Sequence, residues 1–200
     1  MRLTPWFAAS AVCLTFVSAV VPARAETKQE YDWCYAPEAT DDQTIQGCTA
    51  MIESGKYTGV KLSDAYDNRG VGYNGKKQYD LSIPDFNKAI NLNPRNYQAF
   101  NNRGNAYYNK EQYDDAMDSY DGSLRINPQY DKAHKNRGNT YYAVGLNGRA
   151  IEDYSAAIHA NPRYANAYYD RSLARRKKGD IAGADADLAK ARQLKPNSGW

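Results

Sequence analysis

Residues 97–130 read YQAFNNRGNAYYNKEQYDDAMDSYDGSLRINPQY, and residues 131–164 read DKAHKNRGNTYYAVGLNGRAIEDYSAAIHANPRY. Set one above the other they agree in register without a gap: Arg103-Gly104 over Arg137-Gly138, Tyr107 over Tyr141, Ala116 over Ala150, Tyr120 over Tyr154, Ser123 over Ala157, and Asn127-Pro128 over Asn161-Pro162. The same marks stand 34 residues earlier as Arg69-Gly70, Tyr73, Ser82, Phe86, Ala89 and Asn93-Pro94. They return 34 residues later as Ala184, Leu188, Ala191 and Lys195-Pro196. A fixed period of this length marks a stacked array, in which one supersecondary unit cannot bury its apolar face without a neighbour. The residue types suit two helices per unit. Small residues let the helices approach, aromatics fill the groove between them, and proline ends the second helix.

With these marks at these offsets, the chain strongly resembles the tetratricopeptide repeat family. The resemblance implies an all-α, right-handed α-solenoid of helix–turn–helix units, and places four of them at Ser63–Asn96, Tyr97–Tyr130, Asp131–Tyr164 and Ala165–Ser198. Position seven of the unit, usually apolar in the family, is Arg69, Arg103, Arg137 and Arg171 here. Asp85, Asp153 and Asp187 fall at a matching offset on the second helix, with Ser119 as the exception. Arg–Asp pairs joining the two helices are therefore expected; the alternative, solvated charges, would contribute little. The last unit has Ser172 for the glycine and the run Arg175-Arg176-Lys177-Lys178. It reads as the polar terminal cap a solenoid needs, with cations suited to a helix C-terminus.

Upstream, Thr44, Ile45, Cys48, Met51 and Ile52 repeat the spacing of Ser82, Ile83, Phe86, Ala89 and Ile90. Residues 26–62 are thus expected to form an N-terminal half-repeat cap, preceded by an extended lead-in carrying Trp33 and Tyr35. Asp41 and Asp42 read as N-cap acids of its helix. Residues 1–25 have the layout of a secretory signal peptide: Arg2, an apolar run from Trp6 to Val21, and Ala23-Arg24-Ala25 before the cut. An uncleaved anchor is the competing reading. Cleavage removes Cys13, leaving Cys34 and Cys48, which an oxidising compartment would join as a disulfide contributing on the order of 3 kcal/mol.

Composition narrows the function. The mean hydropathy of −0.82 excludes a multi-span membrane protein. The formal charge of +3 falls to +1 once Arg2 and Arg24 leave, which disfavours nucleic acid. His134 and His159 are isolated, and there is no phosphate-cradling glycine loop. No catalytic constellation, metal site, cofactor or small-molecule substrate is expected.

In the family the first helices of successive units line a concave surface. Position six there reads Asn68, Asn102, Asn136, Asp170, and position nine reads Val71, Asn105, Asn139, Leu173. Tyr108 and Tyr142 stand at position twelve, with Lys132 and Lys135 nearby. Amides carry donors and acceptors, and tyrosines give contact area at low entropic cost. A similar asparagine ladder lines the tetratricopeptide superhelix of the O-linked N-acetylglucosamine transferases, which implies an extended polypeptide as the partner. The Lys/Asn carboxylate clamp of co-chaperones is incomplete, with Asn101, Asn166 and Asp170 where cations belong. The cluster Arg175, Arg176, Lys177, Lys178 is a possible contact for an anionic surface, and no membrane association is otherwise expected after cleavage. The sequence thus suggests an exported bacterial protein-binding scaffold, periplasmic or secreted. The alternative is a structural subunit, or an accessory subunit of an envelope enzyme, that binds through its convex face or basic end.

Overall fold

The computed structural model describes residues 27–196. The expected signal peptide, residues 1–25, and the end of the fourth unit lie outside the described residues. Ten α-helices follow in order among them: α1 (Lys28–Tyr35), α2 (Asp41–Glu53), α3 (Gly59–Gly75), α4 (Tyr79–Leu92), α5 (Tyr97–Asn109), α6 (Tyr113–Ile126), α7 (Asp131–Ala143), α8 (Asn147–Ala160), α9 (Ala165–Lys177) and α10 (Ile181–Leu194). Each odd-numbered helix (A) pairs with the even-numbered helix (B) that follows it, and each B packs on the next A. A helices also touch one another across units, α1 on α3, α3 on α5, α5 on α7 and α7 on α9, whereas B helices do not. The array therefore curves with its A helices on the inside.

The lead-in is helical, not extended. Thr27 and Glu30 form a capping box: Glu30 N–H donates to Thr27 Oγ1 (3.2 Å) and Thr27 N–H donates to Glu30 Oε2 (2.9 Å). Two satisfied donors let eight residues start a helix, which then packs on α2. Gly47 permits the approach, since a Cβ there would lie 2.3 Å from the Glu30 carbonyl oxygen and 2.8 Å from Cys34 N. The half-repeat is thus a short helical pair, and the Cys34–Cys48 disulfide joins its two helices across a Cα–Cα distance of 4.7 Å. The cap of α2 is Thr40, paired with Gln43; Asp41 and Asp42 form the first turn behind it.

Within the repeats each motif has a local cause. Asn93, Asn127 and Asn161 are C-caps, and each Oδ1 accepts from the backbone N–H two residues on, at 3.2 Å in all three cases. The proline that follows disfavours helical backbone in the asparagine before it, and each asparagine lies outside the helical region (φ −129 to −139°), so the helix ends there. Gly70, Gly104 and Gly138 are covered by rings of the facing helix; a Cβ would sit 2.7, 2.5 and 2.8 Å from Phe86, Tyr120 and Tyr154. Helix α4 runs unbroken through Pro84.

The position-seven arginines join three helices at once. Arg69, Arg137 and Arg171 each grip the aspartate on their own B helix with Nε and Nη2, at 2.6–2.8 Å, through Asp85, Asp153 and Asp187. Arg103, facing Ser119, donates to its hydroxyl instead (3.1 Å). The remaining Nη1 reaches back to the preceding B helix: Arg69 to Thr49, Arg103 to Asn87, Arg137 to Asp121 and Arg171 to Ser155. Rings of the same A helix flank the guanidinium, such as Tyr66 and Tyr73 at 5.4 and 5.9 Å from Arg69. The aspartates are 4–6% exposed, so they depend on these partners. Burial raises the Asp153 carboxyl, but Arg137 and His134 more than offset it and hold the group below its ordinary range. Burial alone lowers Arg103, which has no facing carboxylate.

Removing one partner leaves a buried charge unmatched, the most destabilising way to break such a pair. Arg137→Met is expected to lower stability by about 3 kcal/mol in urea denaturation. Arg137→Met with Asp153→Leu should recover most of the loss. An unchanged midpoint in the single variant would show that the guanidinium does not hold the units together.

Candidate functional site

The inner row of A helices places position six of one unit against position five of the unit before it. Asn102 Nδ2 donates to Asp67 Oδ1 (3.0 Å), and Asn136 Nδ2 donates to Asn101 Oδ1 (3.0 Å), each 35 residues back. At the same offset Asp170 lies 3.5 Å from the Lys135 ammonium. Asn68 Nδ2 reaches the Cys34 carbonyl oxygen (2.9 Å), tying α3 to the disulfide-bonded pair. The expected amide ladder is therefore present on the inner face, but its position-six donors hold one A helix to the next.

Position nine behaves differently. Tyr120 donates its hydroxyl to Asn105 Oδ1 and Tyr154 to Asn139 Oδ1, both at 2.9 Å. Both rings are 1% exposed, so each buried phenol needs an acceptor, and the amide supplies it. The sequence carries this relation as a correlation: Asn faces Tyr in units two and three, while Val71 and Leu173 stand at position nine where Phe86 and Leu188 replace the tyrosine. Asn136 Nδ2 also reaches Asn105 Oδ1 (2.9 Å). Among the described residues no partner engages the Nδ2 groups of Asn105 and Asn139.

Those amides line two adjoining cavities. One of about 290 Å³ is bounded by Asn74, Asn105, Tyr108, Asn109, Tyr120, Asn136 and Asn139. The next, of about 200 Å³, is bounded by Tyr108, Asn139, Tyr142, Tyr154, Asp170 and Leu173. A third, of about 320 Å³, lies at the N-terminal end beside Cys34, Tyr35, Asn68 and Val71. Two buried side-chain oxygens accept no hydrogen bond among the described residues, Asn74 Oδ1 and Asp170 Oδ2; both belong to residues that line these cavities. Buried acceptors are rarely left so in a finished structure.

Of the remaining expected residues, Lys132 is exposed at the start of α7, and Lys135 is engaged by Asp170. At the C-terminal end Arg175 bonds Asp187 (2.8 Å) and the Gly183 carbonyl, and Arg176 bonds Asp185 (2.6 Å). Their charges are largely matched by α10, which leaves Lys177 and Lys178 exposed. No group of three or more His, Cys, Asp or Glu that could hold a metal ion occurs among the described residues. No helix among them is long and apolar enough to cross a membrane.

Fold and groove together define an α-solenoid of helix–turn–helix repeats with a polar inner face. A TPR repeat profile matches residues 73–111 and 104–145, and a second tetratricopeptide repeat profile matches 135–199. The chain belongs to the tetratricopeptide repeat family. A search of curated proteins finds no match. Among solved structures the fold is similar to that of MamA (TM-score 0.68, 21% identity, 78% of this chain and 89% of that one). MamA 41-end from Desulfovibrio magneticus RS-1 superposes at TM-score 0.70 with 15% identity, covering 88% and 100%. YrrB, described as a TPR protein with an unusual peptide-binding site, superposes at 0.62 with 20% identity over 79% of each chain.

One rung carries a titratable cost. Asp67 is 8% exposed, and burial, reinforced by nearby Asp64, pushes its carboxyl up to about 6 although Asn102 and Asn96 act to lower it. The folded chain thus holds the proton more tightly than the unfolded one. The resulting stability is full at low pH and is lost as pH rises from about 4 to about 6. Asp153, shifted the other way, acts below that window. Asp67→Asn keeps an acceptor for Asn102 and is expected to stabilise the protein at pH 7 by up to about 3 kcal/mol. Urea melts at pH 4 and pH 7 check it: the variant should lose part of the parent's decline between them, and an identical decline would contradict the assignment.

Proposed function

We propose that the protein is an exported, non-catalytic scaffold of the bacterial cell envelope that holds an extended polypeptide along the inner face of its A helices. The observation that carries this reading is the pair of adjoining cavities lined by amides and tyrosines on the inner face. A polypeptide backbone offers N–H donors and carbonyl acceptors at every residue. Its carbonyls complement the amino groups of Asn105 and Asn139, whose oxygens alone are engaged by the fold. Tyr108 and Tyr142, both half-buried, add aromatic area. YrrB, of the same fold, carries a peptide-binding site by its own description. Export is supported by the N-terminal leader pattern and by the Cys34–Cys48 bridge, since disulfides persist in oxidising compartments.

Two experiments test the two halves. Intact mass of the protein recovered from its native host should correspond to a chain beginning at Glu26; a mass beginning at Met1 would contradict cleavage. For the groove, Asn102 and Asn136 are poor targets because they hold helix to helix, whereas Tyr108 and Tyr142 take no part in those rungs. Cross-linked capture from envelope extract should recover a polypeptide with the parent and lose it with Tyr108→Ala/Tyr142→Ala. Equal recovery by both would move binding off the inner face.

A further inference from the structure

The smaller cavity has a chemistry of its own. Its walls are Tyr108, Tyr142 and Tyr154, with Asn139 and Leu173, and the one carboxylate among its lining residues is that of Asp170. The Asp170 side chain is 21% exposed, yet its Oδ2 is buried and accepts no hydrogen bond among the described residues. Lys135 is the nearest cation, at 3.5 Å, well beyond the 2.7–2.9 Å of a charge-assisted hydrogen bond. Burial raises the Asp170 carboxyl even with Lys135 beside it, so the ammonium only partly compensates the charge. The phenols of Tyr108, Tyr154 and Tyr164 are in turn raised by burial first; the charge of Asp170 comes next at Tyr154, after Tyr113 at Tyr108, and after Asp131 at Tyr164, which rises to about 12. The tyrosines and the carboxylate thus form one electrostatic unit.

We propose that this cavity is a specificity pocket for a basic side chain, an arginine or lysine of the polypeptide in the groove, with Asp170 as its counter-ion. This rests on the polypeptide reading given above and adds what that polypeptide must carry. A carboxylate is acceptor-only, and Lys135 flanks Asp170 Oδ2 without a short hydrogen bond, so a group that meets the exposed part of this carboxylate in the cavity must donate. Tyrosine rings attract a cation over their faces, and a planar guanidinium can stack on a ring while it donates in fork geometry to a carboxylate. An acidic side chain would meet Asp170 with like charge, and an aliphatic one would cover the exposed part of the carboxylate without supplying a donor. Lys135 competes for the same carboxylate from within the fold, which keeps the empty pocket from holding an unmatched charge.

The probe is N-acetyl-L-arginine methylamide, titrated into the protein while tyrosine ring signals are followed by NMR; the neutral, nearly isosteric citrulline compound is the control. Saturable shifts are expected with arginine, with binding at least about tenfold weaker for citrulline. Asp170→Asn, which keeps the shape, should bring the two probes level, and Lys135→Met should tighten arginine binding several-fold by removing the competitor. Tyr142→Leu should weaken arginine binding without altering the far-ultraviolet circular dichroism. Equal binding of both probes, no saturable shift with arginine up to tens of millimolar, or tightness unchanged in Asp170→Asn would each overturn the pocket. Because the probes are single residues, these outcomes leave the capture experiment unaffected. Loss of the polypeptide reading would show there, in equal recovery by parent and groove variant.

Discussion

The guanidinium at position seven, which grips buried aspartates, is the contact on which the stack depends. A helix packed only through alanines and glycines can slide or rotate against its neighbour at little cost, since small side chains interlock weakly. Much of the core here is of that kind: Ala65, Ala99, Ala106, Ala133, Ala150 and Ala167 are fully buried. A planar fork with five donors fixes what alanines cannot. Arg69, Arg137 and Arg171 each fix their own B helix by a two-point grip and the preceding B helix by the remaining nitrogen. The angle within a unit and the angle between units are thereby set by one side chain, and repeating it propagates one curvature along the array.

That curvature creates the groove. The arginines bridge successive B helices that do not themselves touch, while the A helices meet on the inside and are joined by a second, lighter set of bonds from position six to position five. The two sets divide the polar residues of the inner face. Position-six amides are structural, whereas the position-nine amides use only their oxygens on Tyr120 and Tyr154. The inner face built this way leaves few polar groups open, each anchored on one side by the fold.

The two ends are closed by different means. At the N-terminal end Asn68 reaches a backbone carbonyl of α1, and Arg69 reaches Thr49 of α2. A pair as short as α1 and α2 buries little, and the disulfide compensates by restricting the unfolded chain. At the C-terminus α10 presents Ala182, Asp185, Ala186 and Ala189 to solvent. Its acids Asp187 and Asp185 pair with Arg175 and Arg176, so α10 is held to α9 by charge as well as by packing.

The sequence alone determined the unit, its length, its helix ends and the Arg–Asp partners. Each of these is a local or fixed-offset relation that recurs every 34 residues and so stands out of the noise. It also held the Asn–Tyr correlation between positions nine and twenty-four, legible once Val71 with Phe86 and Leu173 with Leu188 are set beside it. Three things only the tertiary structure decided. The lead-in forms a helix because Gly47 and the capping box admit it, although eight residues show too little apolar period to announce one. The position-six amides turn to the neighbouring helix because stacking brings an acceptor 35 residues away within 3.0 Å. The carboxylate of Asp170 lies among tyrosines from three other helices because curvature gathers side chains that the chain keeps more than a dozen residues apart. Periodicity fixes what each unit repeats; which of its polar atoms remain available depends on the neighbours that packing brings to them.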